Sequence, residues 1–190
     1  VLDYYLRRKA SYYGVKRAFE PIKIIIRLAG DMITAVGINE TDKDISFTCE
    51  TGWITFDGTR RETANKLFSL PKRSRQVIYT QKMQVKDTSE WVFAIIPKDT
   101  EFSNAILNMA DACRRKTFKD VEVLRYENDG NDLHIYLGTK GFVHGIYFEE
   151  DFKYSDNYFD MLPGETKKVI VYGAKDNKLL PKTVPLEHLD

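Results

Sequence analysis

The groups in this 190-residue chain that could do chemistry are few: three histidines, two cysteines and one dense run of carboxylates. His134, His144 and His188 stand in no recognised metal spacing, and no Cys-x-x-Cys pair occurs, so no metal and no cofactor are expected. Cys49 and Cys113 could pair, but nothing in the spacing demands it and two free thiols is the favoured reading; neither has an evident activating base. No serine lies in a Gly-x-Ser-x-Gly turn, and no Gly-rich phosphate loop is present. Glu149-Glu150-Asp151 is the densest acidic cluster. Adjacent residues of one loop do not flank a substrate from two sides, so this run reads as a solvated loop. No catalytic residue is expected in the chain.

Aromatic rings are the other chemistry-bearing groups, since they can stack on sugars or fill a core. Trp53, Trp91, Tyr147, Tyr154 and Tyr158 could serve either way, with core packing the favoured reading. Trp53, after Thr51-Gly52, is expected to be the more exposed tryptophan; Trp91, flanked by Val92 and Phe93, reads as core or half-core. Trp53, Tyr154 and Tyr158 remain the candidate contacts to a sugar or to a neighbouring domain. The basic run Lys72-Arg73-Ser74-Arg75 could meet a phosphate, but a charged turn is the simpler reading.

The elements that must position these residues are mostly strands. Hydrophobic residues make up 43% and charged residues 30%, ordinary for a globular chain, and the 13% aromatics suit pleated surfaces. The net charge of +1 gives no ground for nucleic-acid or membrane binding. No apolar run approaches the ~20 residues of a membrane span. The charge is unevenly spread, however. Residues 1–118 hold 20 Lys/Arg against 14 Asp/Glu (+6), and residues 119–190 hold 9 against 14 (−5). That change of sign supports two units that attract one another.

Residues 9–19 read as a short helix with Tyr12, Val15 and Phe19 on one face, stopped by Pro21. Strand-like runs follow at Ile22–Leu28, Met32–Ile38, Ile45–Cys49, Trp53–Asp57, Asn65–Leu70, Gln76–Met83 and Trp91–Ile96. Their count and turn spacing suggest an immunoglobulin-like sandwich. Phe102–Met109 fits a strand or a helix. After a boundary near Phe118, the β pattern restarts at Val121–Tyr126. Asn128-Asp-Gly-Asn131 reads as a hairpin turn, and Leu133, Ile135 and Leu137 alternate with His134 and Tyr136. Phe142–Phe148 and Lys167–Tyr172 complete a second small sandwich. The tail from Asn177 is expected to pack loosely or run across a surface.

Three segments resemble one family in order. Ser155-Asp-Asn-Tyr-Phe-Asp-Met-Leu-Pro-Gly-Glu165 resembles a signature in the last domain of β-mannosidase-type enzymes of glycoside hydrolase family 2. Asp3-Tyr4-Tyr5-Leu6-Arg7-Arg8-Lys9-Ala10-Ser11-Tyr12-Tyr13-Gly14-Val15-Lys16-Arg17-Ala18-Phe19-Glu20-Pro21 is similar to the stretch that closes the family's catalytic (β/α)8 barrel. Ile22–Asp44 and Phe56-Asp57-Gly58 resemble parts of the immunoglobulin-like domain that follows. Leu6, Arg8 and Gly14 depart from the pattern, where Gly, Pro and Ala are usual.

The resemblance implies an all-β chain of two immunoglobulin-like β-sandwich domains with a short N-terminal helix left over from a (β/α)8 barrel. Its parts would be residues 1–20, the terminal helix of the upstream barrel; 21–118, a first sandwich; and 119–190, a second, C-terminal one. The helix would cap the first sandwich. The chain is thus expected to be a piece of a longer protein that starts mid-pattern at Val1. Its partner would be the upstream catalytic barrel of the same polypeptide. The parent would be an exo-acting, retaining hydrolase of terminal β-linked mannose or a related β-hexopyranoside, periplasmic, secreted or lysosomal. Its two carboxylates, about 5–5.5 Å apart in such enzymes, would lie upstream of Val1. The competing readings are a carbohydrate-binding module holding an oligosaccharide and a protein-interaction module, both without hydrolase activity.

Overall fold

The computed structural model describes residues 1–85, 90–98, 100, 102–109 and 120–184. The chain forms two compact units. One comprises Val1–Phe19, Phe56–Gly58 and Arg115–Asp190; the other comprises Glu20–Thr55 and Thr59–Arg114. Both are β structures, and the single helix among the described residues is α1 (Ala10–Ala18). Cys113, His188 and the boundary expected at 118/119 lie outside the described residues.

The Glu20–Arg114 unit holds β1 (Ile22–Ala29), β2 (Met32–Asn39), β3 (Ile45–Thr55), β4 (Arg60–Leu70), β5 (Ser74–Lys82), β6 (Trp91–Pro97) and β7 (Ala105–Asn108). They form two antiparallel sheets, β1-β2-β5 and β4-β3-β6-β7. Gly30, at φ 60°, makes the tight turn that sets β1 on β2 in the register Ala29↔Met32 to Ile22↔Asn39. Alternation buries Ile33 and Ala35 against the core. In the pairing with β5 the register shifts between Ala35 and Val36, where β5 carries one extra residue, Ile78.

Of two runs expected as separate strands, Ile45–Cys49 and Trp53–Asp57, all but Phe56 and Asp57 lie in one eleven-residue strand, β3, and those two residues begin a turn. Gly52 does not end the strand but bulges it, with the register against β4 shifting between Thr51 and Trp53. At φ 155° a Cβ on Gly52 would sit 2.8 Å from the Thr63 Cα, so only glycine fits this close crossing. The ambiguous Phe102–Met109 run contains strand β7, paired with β6 from Ile95↔Ala105 to Val92↔Asn108. The core of this unit gathers Phe47, Cys49 and Trp53 of β3 with Phe93 and Ile95 of β6. Trp53 meets Phe93 edge-on at 5.3 Å, and Tyr79 stacks on the same Phe93 ring at 5.7 Å.

The other unit contains β8 (Glu122–Asp129), β9 (Asp132–Gly138), β10 (Val143–Tyr147), β11 (Lys153–Tyr154), β12 (Phe159–Met161), β13 (Thr166–Tyr172) and β14 (Lys182–Thr183). Its sheets run β11-β13-β9-β8 and β12-β10-β14. Leu133, Ile135 and Leu137 are buried, as their alternation predicts, and pack with Val143, Ile146, Val169 and Val171. Phe56 stacks on Phe142 at 5.0 Å, and its carbonyl accepts the Phe142 N–H at 2.7 Å. The described part of the tail, residues 177–184, is less loose than expected. Leu179 is buried, its carbonyl accepts the Tyr126 hydroxyl at 2.8 Å, and β14 pairs with β10.

The helix corrects two expectations. It packs on the C-terminal sandwich rather than capping the first one. Its buried anchor is Tyr13 (1% exposed), while Val15 (42%) and Phe19 (77%) of the expected apolar face stand in solvent. An amphipathic stripe names a face but not its partner; here the face that docks is the one carrying Tyr13 and Arg17, four residues apart.

Candidate functional site

The 155–165 segment and α1 are built onto one another. Leaving β11, the chain from Ser155 to Tyr158 is in no strand, so its carbonyls need partners from elsewhere. Cations on and before α1 supply them. Arg8 Nη1 donates to the Tyr154 carbonyl at 3.3 Å, Lys16 Nζ donates to the Ser155 carbonyl, and Arg17 donates to the carbonyls of Asn157 (3.3 Å) and Tyr158 (2.9 Å). Lys16 and Arg17 also occupy the last turn of α1, where positive charge complements the helix dipole.

The polar residues of the segment tie it to its surroundings and close its own turn. Ser155 exchanges two bonds with Ile170 of β13: its N–H donates to the Ile170 carbonyl at 2.8 Å, and its Oγ accepts the Ile170 N–H at 2.9 Å. Asp156 accepts Arg17 Nη1 at 2.5 Å, lies 3.0 Å from Lys167 Nζ of β13, and accepts the N–H of Asn157 at 2.9 Å. Asn157 is buried; its Oδ1 accepts the Phe148 N–H and its Nδ2 donates to the Phe148 carbonyl. The Asp160 carboxylate accepts the Gly145 N–H at 2.9 Å and lies 2.8 Å from His144 Nδ1. Glu165 accepts the Leu162 N–H at 2.8 Å, closing the turn in which Gly164 sits at φ 76°.

Tyr13 completes this latch from the helix side. It is buried in the sandwich core with Phe148 and Tyr154, and its ring lies 6.2 Å from that of Tyr158. Burial raises the Tyr13 hydroxyl pKa against the opposing pull of Arg8. Burial, reinforced by the nearby Glu150 carboxylate, raises that of Tyr154. Neither phenol is an acid–base group at neutral pH.

A cleft of about 220 Å³ opens beside this latch. Arg8 and Lys9 line it together with Glu150, Asp151, Tyr154 and Tyr158. Tyr154 and Tyr158, two of the sugar-contact candidates, are thus brought together. Tyr154 is buried, with its hydroxyl donated to the Glu150 carbonyl at 2.9 Å, and Tyr158 is half-buried, stacked on Tyr147 at 5.4 Å. Tyr158 also holds φ 56°, a costly conformation for a residue with a Cβ.

Trp53 is a correction. Far from being the exposed tryptophan, it is fully buried in the core of the Glu20–Arg114 unit and offers no stacking face. Trp91 is half-buried. The acidic run is solvated, with Glu149 paired to Lys182. In the basic run, Arg73 grips the Asp42 carboxylate at 2.8 and 3.1 Å while the Lys72 N–H donates to Asp44, a self-neutralised exposed turn. Cys49 is buried, and burial pushes its thiol up to about 12. Among the described residues no group of three or more His, Cys, Asp or Glu could hold a metal. No described helix is long and apolar enough to cross a membrane.

The residues that sequence reasoning missed are Tyr13, Arg8, Arg17 and Asp156. For the three charged residues the signal lay in the opposite charge of the two ends of the chain, which pair within one unit.

The Ig-fold domain family Ig_mannosidase matches residues 118–190. Beta-mannosidase B of Thermothelomyces thermophilus is 24% identical over 212 aligned positions, covering 94% of this chain and 24% of that protein. The crystal structure of a beta-D-mannosidase from Dictyoglomus thermophilum superimposes with a TM-score of 0.83 at 20% identity, over 96% of this chain and 24% of that one. An exo-chitosanase from Amycolatopsis orientalis gives a TM-score of 0.65 at 17% identity, over 97% of this chain and 28% of that one. The chain therefore spans about a quarter of the length of these relatives.

Proposed function

Taking residues 118–190 as an Ig-fold domain of the mannosidase type, we propose that the chain is the non-catalytic C-terminal region of a retaining, exo-acting β-mannosidase-like glycoside hydrolase. Residues 1–20 are the last helix of the upstream catalytic barrel, and the two hydrolytic carboxylates belong to that barrel. The observation that carries this reading is the latch. The most family-like segment of the sequence spends its polar groups on holding α1 and the strands around it, through Asp156–Arg17 at 2.5 Å, Ser155 on Ile170 and Asn157 on Phe148. A C-terminal domain with this device fastens itself to the end of a barrel and fixes that end in place. The names of the relatives, β-mannosidase and exo-chitosanase, supply the two kinds of substrate to be compared.

The binding-module reading loses its main platform, because Trp53 is at 0% exposure. The test is to express the chain with its upstream region and to assay that protein and the 190-residue chain on p-nitrophenyl β-mannoside and β-glucosaminide. Cleavage of the mannoside by the longer protein alone is the expected result. Activity in the 190-residue chain, or a longer protein inert on both substrates, overturns the proposal.

A further inference from the structure

The cleft beside the latch has a chemistry of its own. It is formed by two short runs that meet only because α1 is fastened to the sandwich: Arg8 and Lys9 on one side, and Glu150, Asp151 and Phe152 on the other, with Tyr158 behind. Most of its deeper polar groups already serve the protein: Arg8 donates to the Tyr154 carbonyl, and the Tyr154 hydroxyl donates to that of Glu150. At the rim the situation differs. Lys9, Glu150 and Asp151 have no ion-pair partner among the described residues. Donors and acceptors thus stand across a small opening, next to the half-buried rings of Phe152 and Tyr158.

The volume, about 220 Å³, is many times the ~10–15 Å³ of such space that one water needs. A charged ligand of either sign would meet a like charge on one wall. An uncharged ring bearing several hydroxyls, each able to donate and accept, meets no such conflict and sets its C–H surface on the aromatic side chains. Place in the parent adds a second constraint. In a (β/α)8 barrel the residues just before each helix lie at the strand C-terminal end, the end that carries the catalytic groups. Residues 1–9 hold that position relative to α1.

We infer that this cleft is a saccharide subsite on the catalytic face, taking a sugar unit of an oligosaccharide beyond the residue being cleaved. The inference rests on the barrel-tail reading proposed above and deepens it. Lys9 and Asp151 hydrogen-bond the hydroxyls of that unit, while Phe152 and Tyr158 supply the apolar wall.

The test compares substrates of two lengths in the enzyme that includes its upstream region. The double variant Lys9→Ala/Asp151→Ala removes two rim hydrogen bonds, and the ratio of kcat/KM for mannotriose to that for p-nitrophenyl β-mannoside should fall about tenfold. General structural damage lowers both values together and leaves the ratio unmoved, which overturns the subsite. Wild-type enzyme that cleaves no β-mannoside would instead sink the reading of the parent reaction. The cleft is then judged directly, by NMR titration of the 190-residue chain with mannotriose. Saturating shifts confined to residues 8–9 and 150–158 support the subsite, and their absence up to about 50 mM, a level at which even very weak binding is visible, removes it.

Discussion

Asp156 is the point at which the latch can be cut. Its carboxylate lies between Arg17 (2.5 Å) and Lys167 (3.0 Å) and accepts the Asn157 N–H, with its side chain 17% exposed and those of its partners 33% and 26% exposed. In Asp156→Ala two partly buried cations lose their counter-charge and one backbone donor loses its acceptor. A charge-assisted hydrogen bond of this kind contributes about 1.5–3 kcal/mol and a fully exposed pair about 0–1 kcal/mol. Partial exposure sets the sum at about 2 kcal/mol for this unit. With an m-value of about 1–1.5 kcal/mol/M, the urea midpoint of the unit should fall by roughly 1.3–2 M. The chain's two tryptophans, Trp53 and Trp91, lie in the other unit, so tryptophan fluorescence does not report this loss. Amide hydrogen exchange on peptides covering 10–18 and 155–172 does. Faster exchange in both peptides, with β3 and β6 unchanged, is expected; Asp156→Asn, which keeps an oxygen for the Asn157 N–H, should show about half the effect. Wild-type protection of α1 in Asp156→Ala would refute the idea that the motif holds the helix.

Tyr13→Ala should cost the same unit about 3–5 kcal/mol, measured by the same exchange experiment, because it empties a fully buried aromatic site; Tyr13→Phe should cost under about 1.5 kcal/mol. Gly52→Ala drives a Cβ to 2.8 Å from the Thr63 Cα and should lower the fluorescence-detected stability of the Glu20–Arg114 unit by about 2–4 kcal/mol. Glu50 is partly desolvated, which pushes its pKa up, but hydrogen bonds from Lys98 and Arg60 outweigh that and hold it below 4.5. Its contribution to stability is therefore present above the ordinary carboxylate value and lost as pH falls through the lower folded value, so wild type should lose more stability than Glu50→Gln on acidification below pH 4.5. Cys49, buried with its thiol raised to about 12, should resist thiol reagents at pH 8 in the native chain and react only after denaturation, as read by mass spectrometry of its peptide.

Local patterns carried far in this molecule. Alternation at Leu133, Ile135 and Leu137 fixed which face of β9 is buried, because strand side chains obey a two-residue period whatever lies beside them. Gly130, at φ 60°, marked its hairpin because few other residues adopt that conformation without cost. Gly52 misled for a related reason: glycine signals unusual backbone, and only the approach of Thr63 decides whether it ends a strand or bulges it.

What the sequence by itself determined was the β class, most strand positions and a family-like motif, since each depends on residues near one another in the chain. Tertiary structure decided everything that joins distant residues. Trp53 is core rather than surface because Phe93, forty positions later, closes over it. The helix docks through Tyr13 and Arg17 because the carbonyls freed after β11 need cations from 139 to 141 positions away. Periodicity reports that a face is apolar, but which partner satisfies buried backbone groups is settled only when the whole chain is folded.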